Sequence, residues 1–563
     1  MSVRSSHRKY WVVLVLFVCA LILQTGYQRA AHAQSSAKPS RAEMRERQAH
    51  REGRQRRPSA QSGAPLLQDK SQPFAFDFPG NDVDAPRYDQ PREATQYFLR
   101  KRLPAGEKFL PLEKYEAAYE QMRQMPLFAT ATAQFMTEGS AVTAPLWRTV
   151  AEPDQTTWTS LGPGNIGGRT RALVINPQDP QVMYAAGVSG GVWKTTNGGQ
   201  AWTPIGTQLA NLTVSSLTLE PGNPNVLYVG TGEGYFGGFE DGDYAATDFR
   251  GAGIFKTSDG GATFTRLSGT ATRDFYYVYD LVISPANNQR LYAGTLSGVW
   301  RSVDGGASWT RVLNPLNSAG DTVAGGCMDL AIRTDRTDAD VVFAACGTFE
   351  DASIYRTNNG AGSDAWTRVF TEAGMGRTAL AIAPSNQNII YAVTAEFDNN
   401  PFQDALHAVF RSTSGGDSGT WTAQVRNNSA VKLNASILSF AIDAFATNCG
   451  SFDSDNFTGQ SWYDLAIAVD PTDPQRVWVA GVDVFRSDDG GVNWGMATQA
   501  YQDSANPQYI HPDQHVLVFH PQFNGASNQI LYAGNDGGLW RTDNALAAVA
   551  TGNTAPCKAS NTA

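Results

Sequence analysis

Apolar residues are distributed along the chain in two different ways. Between 34 and 153 the sequence is polar and charged, apart from the stretch "PLEKYEAAYEQMRQM". There Leu112, Tyr115, Tyr119 and Met122 recur at helical spacing, which predicts one helix near 111–125 in a loosely ordered leader that extends to 155. From Trp158 onward short apolar runs alternate with Gly, Asn, Asp and Pro, the pattern of many short strands. One unit reads "TRALVINPQDPQVMYAAGVSGGVWKTTNGGQAWTPI" and predicts four strands: one ending at Asn176, one over 182–186, one over 191–195, then a turn and a strand opening at Trp202.

The unit recurs. Its turn appears as Thr195-Asn197-Gly199-Trp202, Thr257-Asp259-Gly261-Phe264, Ser302-Asp304-Gly306-Trp309 and Ser487-Asp489-Gly491-Trp494, with one internal spacing. Two copies, from Thr357 through Asn359 to Trp366 and from Ser412 to Trp421, are longer before the tryptophan, and a last copy is cut down to "LWRTDN". Four-stranded units repeated about seven times imply an all-β fold, a β-propeller over 156–563, because radial packing buries both faces of each small sheet. The seventh unit shows three strands, near 516–520, 529–533 and 538–542. Conversely, "TTWTSLGPG" at 156–164 is a tryptophan strand with nothing before it. Either it completes the last blade and closes the ring, or the chain is a truncated copy of a longer protein.

The ends of the chain bear on where it works. "MSVRSSHRKY" is basic, an apolar run follows over 11–23, and Ala31-His32-Ala33 is a small-residue site, so residues 1–33 read as a secretion signal, with an uncleaved anchor as the alternative. The mature chain is then secreted, with no stable membrane insertion. Removal of Cys19 leaves Cys327, Cys346, Cys449 and Cys557. Cys327 and Cys346 fall on adjacent strands of one unit and are expected to form a disulfide; Cys449 with Cys557 is the remainder. A net charge of −9 argues against nucleic acid as partner, and the basic run "RAEMRERQAHREGRQRR" is read as a solvated part of the leader.

The S/T-x-D/N-x-G-x-x-W/F turns resemble the Asp-box, or BNR repeat, of bacterial sialidases, of xyloglucan-cleaving propeller hydrolases and of the sortilin-type receptor propeller. The opening "WTSLGPGNIGGRTRALVINPQDPQVMYAAGVSGGVWKTTNGGQAWTPI" resembles most the exported bacterial BNR-repeat, or sortilin N-terminal-like, proteins. The resemblance implies a fold rather than an activity, since enzymes and receptors share the repeat. The residues agree: Asp or Asn accepts backbone N–H bonds in a tight turn, Gly permits positive φ, and Trp buries apolar area. Asn197, Asp259, Asp304, Asn359 and Asp489 are therefore assigned structural roles.

Chemistry is expected where the innermost strands begin and converge on the channel mouth. Aligning the units brings together Arg169 and Arg171, Tyr277, Tyr279 and Asp280, Arg377, Tyr463 and Asp464, and Asp513 and His515. Arg171, Tyr279, Asp280, Arg377 and Asp464 are the candidate catalytic residues. Arginines around a carboxylated sugar, with a Tyr nucleophile and an Asp, is what the sialidase resemblance implies. Two features depart from the relatives: the arginine-Ile/Leu-Pro motif of the first sialidase strand is missing, and Val188 stands where xyloglucan-cleaving propellers carry an acid.

In "HPDQH", His511, Asp513 and His515 would share one side of an extended segment, a ligand set for a divalent metal or a proton-transfer pair, with hydrogen bonding to loops as the alternative. Asp536 in "GNDGG" is expected nearby. The insertion with Glu233, Glu240, Asp241, Asp243 and Asp248 is either a calcium-binding loop or a long polar loop. No phosphate-cradling loop or nucleophile elbow is found. Two functions follow: an exported module binding extracellular polypeptide or glycan, or a sialidase-like glycoside hydrolase using the mouth Arg, Tyr and Asp residues.

Overall fold

Each repeat unit folds into its own antiparallel sheet, with strands in chain order from the channel outward. In the computed structural model the described residues run from 168 to 552, except 207–208, 210, 236–248, 318–319, 359–364, 441–456 and 501–507, with isolated positions between 114 and 135. Blade 1 consists of Thr170–Ile175, Met183–Gly187, Gly191–Thr195 and Thr203–Ile205. The innermost strands of blades 2 to 7 are Val214–Glu220, Val278–Ile283, Cys327–Ile332, Met375–Ile382, Ala466–Val469 and Gln514–Phe519. Six sheets have four strands; blade 7 has three among the described residues, ending with Leu531–Asn535 and Gly538–Thr542.

A four-stranded sheet with apolar side chains on both faces cannot stand alone in water. The second strands of blades 3, 4 and 5, which are buried throughout, show why the sheets must stack. Seven clusters lie between neighbouring blades. Val192 of blade 1 meets Leu227 and Val229 of blade 2, and Tyr228 of blade 2 meets Leu281 and Ala293 of blade 3. Around the rest of the ring Tyr292 meets Val342, Phe343 meets Ile390, Val393 meets Val479, and Trp478 meets Leu517. The seventh cluster joins Tyr532 of blade 7 to Leu173 and Met183 of blade 1 and closes the ring. Phe343, fully buried, is one residue whose truncation to Ala would cost about 3–5 kcal/mol.

The recurring turns join third and fourth strands. In blade 3, Ser302 Oγ donates to Asp304 Oδ1 at 2.8 Å and accepts from Gly306 N–H at 2.8 Å, while the same carboxylate oxygen accepts Ser308 N–H at 2.9 Å. Both central glycines, Gly305 and Gly306, have positive φ, as the turn requires. Thr195/Asn197, Thr257/Asp259 and Ser487/Asp489 repeat the pattern. In blade 5 no carboxylate is present at this place, and the Thr420 hydroxyl, 2.7 Å from Ser412 Oγ, takes its part. Two of the turns also receive a neighbour: Tyr184 donates to Gly260 O at 3.3 Å and Tyr228 to Gly305 O at 3.2 Å, so these turns help lock blade to blade. Hydrogen bonds from Ser308, first through its hydroxyl and then its N–H, hold the Asp304 carboxyl down to about 2.

Cys327 and Cys346 are cross-strand partners in blade 4 and form a disulfide. Residues 114, 117, 118 and 121 are helical, within the segment expected to be a helix. The signal region, Trp158, Asn359, Cys449, Cys557 and most of the acidic insertion lie outside the described residues. Among the described residues no helix is long and apolar enough to cross a membrane.

Candidate functional site

The innermost strands share an irregularity. In six blades the register against the second strand shifts at the start of the innermost strand, and the extra residues are Arg171, Ser215, Tyr279, Met328, Gly376 with Arg377, and His515. Bulges of this kind re-aim side chains and are frequent beside active sites. Blade 6 lacks the bulge; instead a turn in which Tyr463 and Asp464 N–H groups both point to Gln460 O brings Tyr463 to the mouth.

Residues of blades 1, 2, 5, 6 and 7 meet around two phenols. Arg169 pairs with Glu233 and stands 3.3 Å from Asp536, and Arg171 Nε lies 3.1 Å from Glu233. Glu233 is held by a bridge to Phe249 at the base of the blade 2 insertion, and Tyr235 OH donates to it at 3.1 Å. Arg377 donates to the carbonyls of Trp462 at 3.1 Å and Tyr463 at 2.7 Å. Arg169 lies over the ring of Tyr463, and Arg171 and Arg377 over that of Tyr235. Burial drives both phenols well above their ordinary pKa, with the Asp536 charge adding to the effect at Tyr463. Both hydroxyls are therefore kept protonated, the opposite of what a Tyr nucleophile needs.

The carboxyl groups divide into two states. Asp536 accepts from Tyr463 OH at 2.6 Å and from His515 Nε2 at 2.7 Å. Burial opposes its ionisation, but these hydrogen bonds and the Arg169 charge hold its pKa below the usual carboxylate value. Gln460 Nε2 donates to Asp513 at 2.5 Å and to Asp464 at 3.2 Å. Burial, then the Asp536 charge, pushes Asp513 up to about 6. Asp464, 1% exposed, is also raised well above the usual carboxylate range, by burial and then by the Asp513 charge. Environments that push two carboxyls apart are those that divide acid from base.

Arg171, Arg377, Asp464, Asp513 and His515, far apart in sequence, are thus brought together, and Asp536 joins His515 as anticipated. Tyr279 is buried at the equivalent bulge of blade 3. Asp280 joins blades: its carboxylate accepts the N–H of Leu281 at 2.7 Å and of Leu330 at 2.9 Å, and burial raises it to about 6. Asp329 repeats the device by accepting Leu380 N–H at 2.6 Å. Its place in "CMDLAI", matching "VYDLVI", was a signal that alignment of the units carries. Glu233, Tyr235 and Gln460 lie outside the repeat and carry no such signal.

The alternation that would put His511, Asp513 and His515 on one side is broken at Asp513, whose φ is 67°. His511 Nδ1 faces its neighbour's carbonyl, Pro512 O, at 2.9 Å, and both nitrogens of His515 are engaged, one by Asp536 and the other by Arg171 at 2.8 Å. Among the described residues no three His, Cys, Asp or Glu side chains are placed to hold a metal. Glu233, considered for calcium, faces two arginines instead.

Fold and mouth together define a seven-bladed β-propeller whose channel opening is lined by arginines, phenols and carboxyl groups. No family model matches the chain. It is similar to a xyloglucanase of Paenibacillus sp., 23% identical over 406 residues that make up 65% of this chain and 35% of that protein. A xyloglucanase of Hypocrea jecorina is 24% identical over 299 residues, 47% of this chain and 33% of that protein. The chain thus spans about a third of the length of these curated relatives. Among solved structures, a GH74 enzyme of Niastella koreensis is similar with a TM-score of 0.47 and 19% identity over 68% of this chain and 53% of the other.

Proposed function

We propose that this propeller acts on an extracellular glycan as a glycoside hydrolase, with a glucan of the xyloglucan type as substrate. The observation that carries the reading is the split between Asp513, raised to about 6, and Asp536, held ionised, at the same end of blade 7, where Asp536 N–H approaches Asp513 O at 3.3 Å. Asp513 would protonate the leaving glycosidic oxygen and Asp536 would serve as the base for water, the division of labour that glycoside hydrolysis requires. Arg171 positions His515, and His515 in turn positions Asp536. The similarity to xyloglucanases supports the substrate class. In this reading the recurring turns are Asp-box repeats and the chain is exported.

A sialidase-like scheme is less well served. Arg169 and Arg171 already face Glu233, and Arg377 faces two carbonyls, which leaves them committed within the protein. One observation favours a second reading, a glycan-binding module without turnover: Val188, at the place of the acid in cleaving propellers, is 3% exposed.

The test is release of reducing ends from xyloglucan, mixed β-glucans and sialosides by the parent protein and by Asp513→Asn and Asp536→Asn. Turnover lowered by about 10²-fold or more in folded variants supports hydrolysis. Binding of xyloglucan oligosaccharides by the parent with no turnover on any of these substrates overturns it in favour of the binding module.

A further inference from the structure

Gln460 is buried, 7% exposed, where the chain enters blade 6. Its backbone carbonyl accepts the N–H of Tyr463 at 2.7 Å and of Asp464 at 3.2 Å, which fixes the turn that carries both to the mouth. Its side chain then reaches blade 7: Nε2 stands 2.5 Å from Asp513 Oδ1 and 3.2 Å from Asp464 Oδ2. A primary amide has two hydrogens on one nitrogen, and here each has its own carboxyl acceptor. The nitrogen must face the two acids, because a carboxylate only accepts.

That contact has a direction. Asp513 Oδ1 takes the amide hydrogen, so the acid's own proton is confined to Oδ2. Rotation about the bond to the carboxyl carbon would exchange the two oxygens, and the amide opposes it. The backbone adds a second restraint: the φ of Asp513 is 67°, and its carbonyl oxygen lies 3.3 Å from the Asp536 N–H. The groups that face the Asp513 carboxyl are Gln460 and Asp464 from the entry to blade 6, His511 on its own segment and Asp536 from the hairpin after the second strand of blade 7. Arg377 of blade 5 stands behind Asp464.

We propose that Gln460 is the positioning residue of the acid, holding Asp513 so that Oδ2 alone delivers the proton to the leaving glycosidic oxygen. This rests on the assignment of Asp513 made above. In the step, the Oδ2–H bond breaks as the glycosidic C–O bond does, the leaving oxygen keeps that pair and takes the proton, and water adds at the anomeric carbon while giving its own proton to Asp536. Asp513 is left as a carboxylate, with the Gln460 N–H still on Oδ1. A hydrogen bond to an ionised oxygen is about twice as strong as one to a neutral oxygen, so this contact tightens as charge develops and favours the transition state over the bound ground state.

The test uses the full chain with aspartate labelled by 13C at the carboxyl, and Gln460→Met, which keeps the length of the side chain and removes both N–H donors. The Asp513 resonance is identified by its loss in Asp513→Asn. Without substrate, Asp513 should titrate in Gln460→Met at a pH about one higher than in the parent. On substrate, kcat should fall about tenfold or more at unchanged KM, and the alkaline limb of the pH profile should move up with the titration. A folded Gln460→Met whose Asp513 titrates as in the parent overturns the proposal, whatever its turnover, because a merely structural role leaves that titration in place. The parent alone gives a reading that needs no variant to fold: the side-chain amide resonances of Gln460 should move with pH along the Asp513 titration, and resonances that do not follow it overturn the proposal. A parent that turns over no glycan removes the hydrolase reading instead, and the two titrations then decide on the Gln460 contact by themselves.

Discussion

His515 and Asp536 fix each other's protonation. Arginine has only donors, so Arg171 Nη1 at 2.8 Å requires a lone pair on His515 Nδ1, and the ring proton must sit on Nε2, which donates to Asp536 at 2.7 Å. Burial, then the Arg171 charge, lowers the imidazole pKa to about 3.

A pH dependence of stability follows from this pair. The native ring stays neutral, whereas the unfolded chain takes up a proton below 6.5, so the stabilisation is present above pH 6.5 and is lost as pH falls toward 3. Urea unfolding at pH 7 and pH 4 should show the parent losing up to about 3 kcal/mol relative to His515→Gln. Parallel losses in both proteins would remove His515 as the cause.

Asp404 gives the opposite sign. Burial, then the Glu396 charge, pushes its carboxyl up to about 7, so its contribution is present below pH 3.8 and is lost as pH rises through 7. Its φ of 61° is one that Asn also adopts. Asp404→Asn should therefore gain about 2–4 kcal/mol over the parent on going from pH 4 to pH 8, measured by denaturant titration at each pH.

The fold was legible because its signal is repeated. Trp309 and Asp304 mean little once, but the same turn at Trp202 and Trp494 marks blades, and the third strands at 191–195 and 538–542 lie where the spacing puts them. The second strand of blade 1 is Met183–Gly187, one residue later than expected. Arg171, Arg377 and His515 were legible for the same reason, as equivalent positions of repeated strands. Glu233 was legible only as a candidate for calcium, and Tyr235 not at all, since both lie in the long blade 2 insertion, beyond the repeated strands. Tyr279 and Asp280 look like one functional pair in sequence, yet a backbone bulge separates them and leaves Asp280 bound to blade 4.

Asp304→Ala tests whether the turns are structural. It removes acceptors for Ser302 Oγ, Ser308 N–H and Ser308 Oγ at an exposed site, so a loss of about 1 kcal/mol in unfolding free energy is expected, with glycan binding and turnover unchanged. A variant of parental stability with impaired glycan handling would contradict the assignment.

The disulfide between Cys327 and Cys346, 19 residues apart in sequence, restrains the start of the blade 4 innermost strand. Replacing both with Ser should cost about 2–4 kcal/mol by calorimetry, and the difference should vanish when the parent is measured fully reduced.

Gly232 connects the fold to the mouth most directly. Its φ is 94°, a Cβ there would lie 1.9 Å from Tyr276 O, and its own N–H donates to Thr213 O at 3.0 Å, so a side chain has no room and the backbone has no freedom to yield. The next residue is Glu233, whose carboxylate faces both Arg169 and Arg171. Gly232→Ala should cost about 3 kcal/mol or more, and any folded fraction should lose glycan handling because Glu233 can no longer reach both arginines. Gly222 is the control: its φ is 77°, but no atom lies within 4 Å of the added Cβ, so Gly222→Ala should cost only about 1–2 kcal/mol, that of placing an L side chain at positive φ. Thermal unfolding of the two variants side by side separates the effects, since positive φ alone would lower both alike, whereas steric exclusion next to Glu233 lowers one.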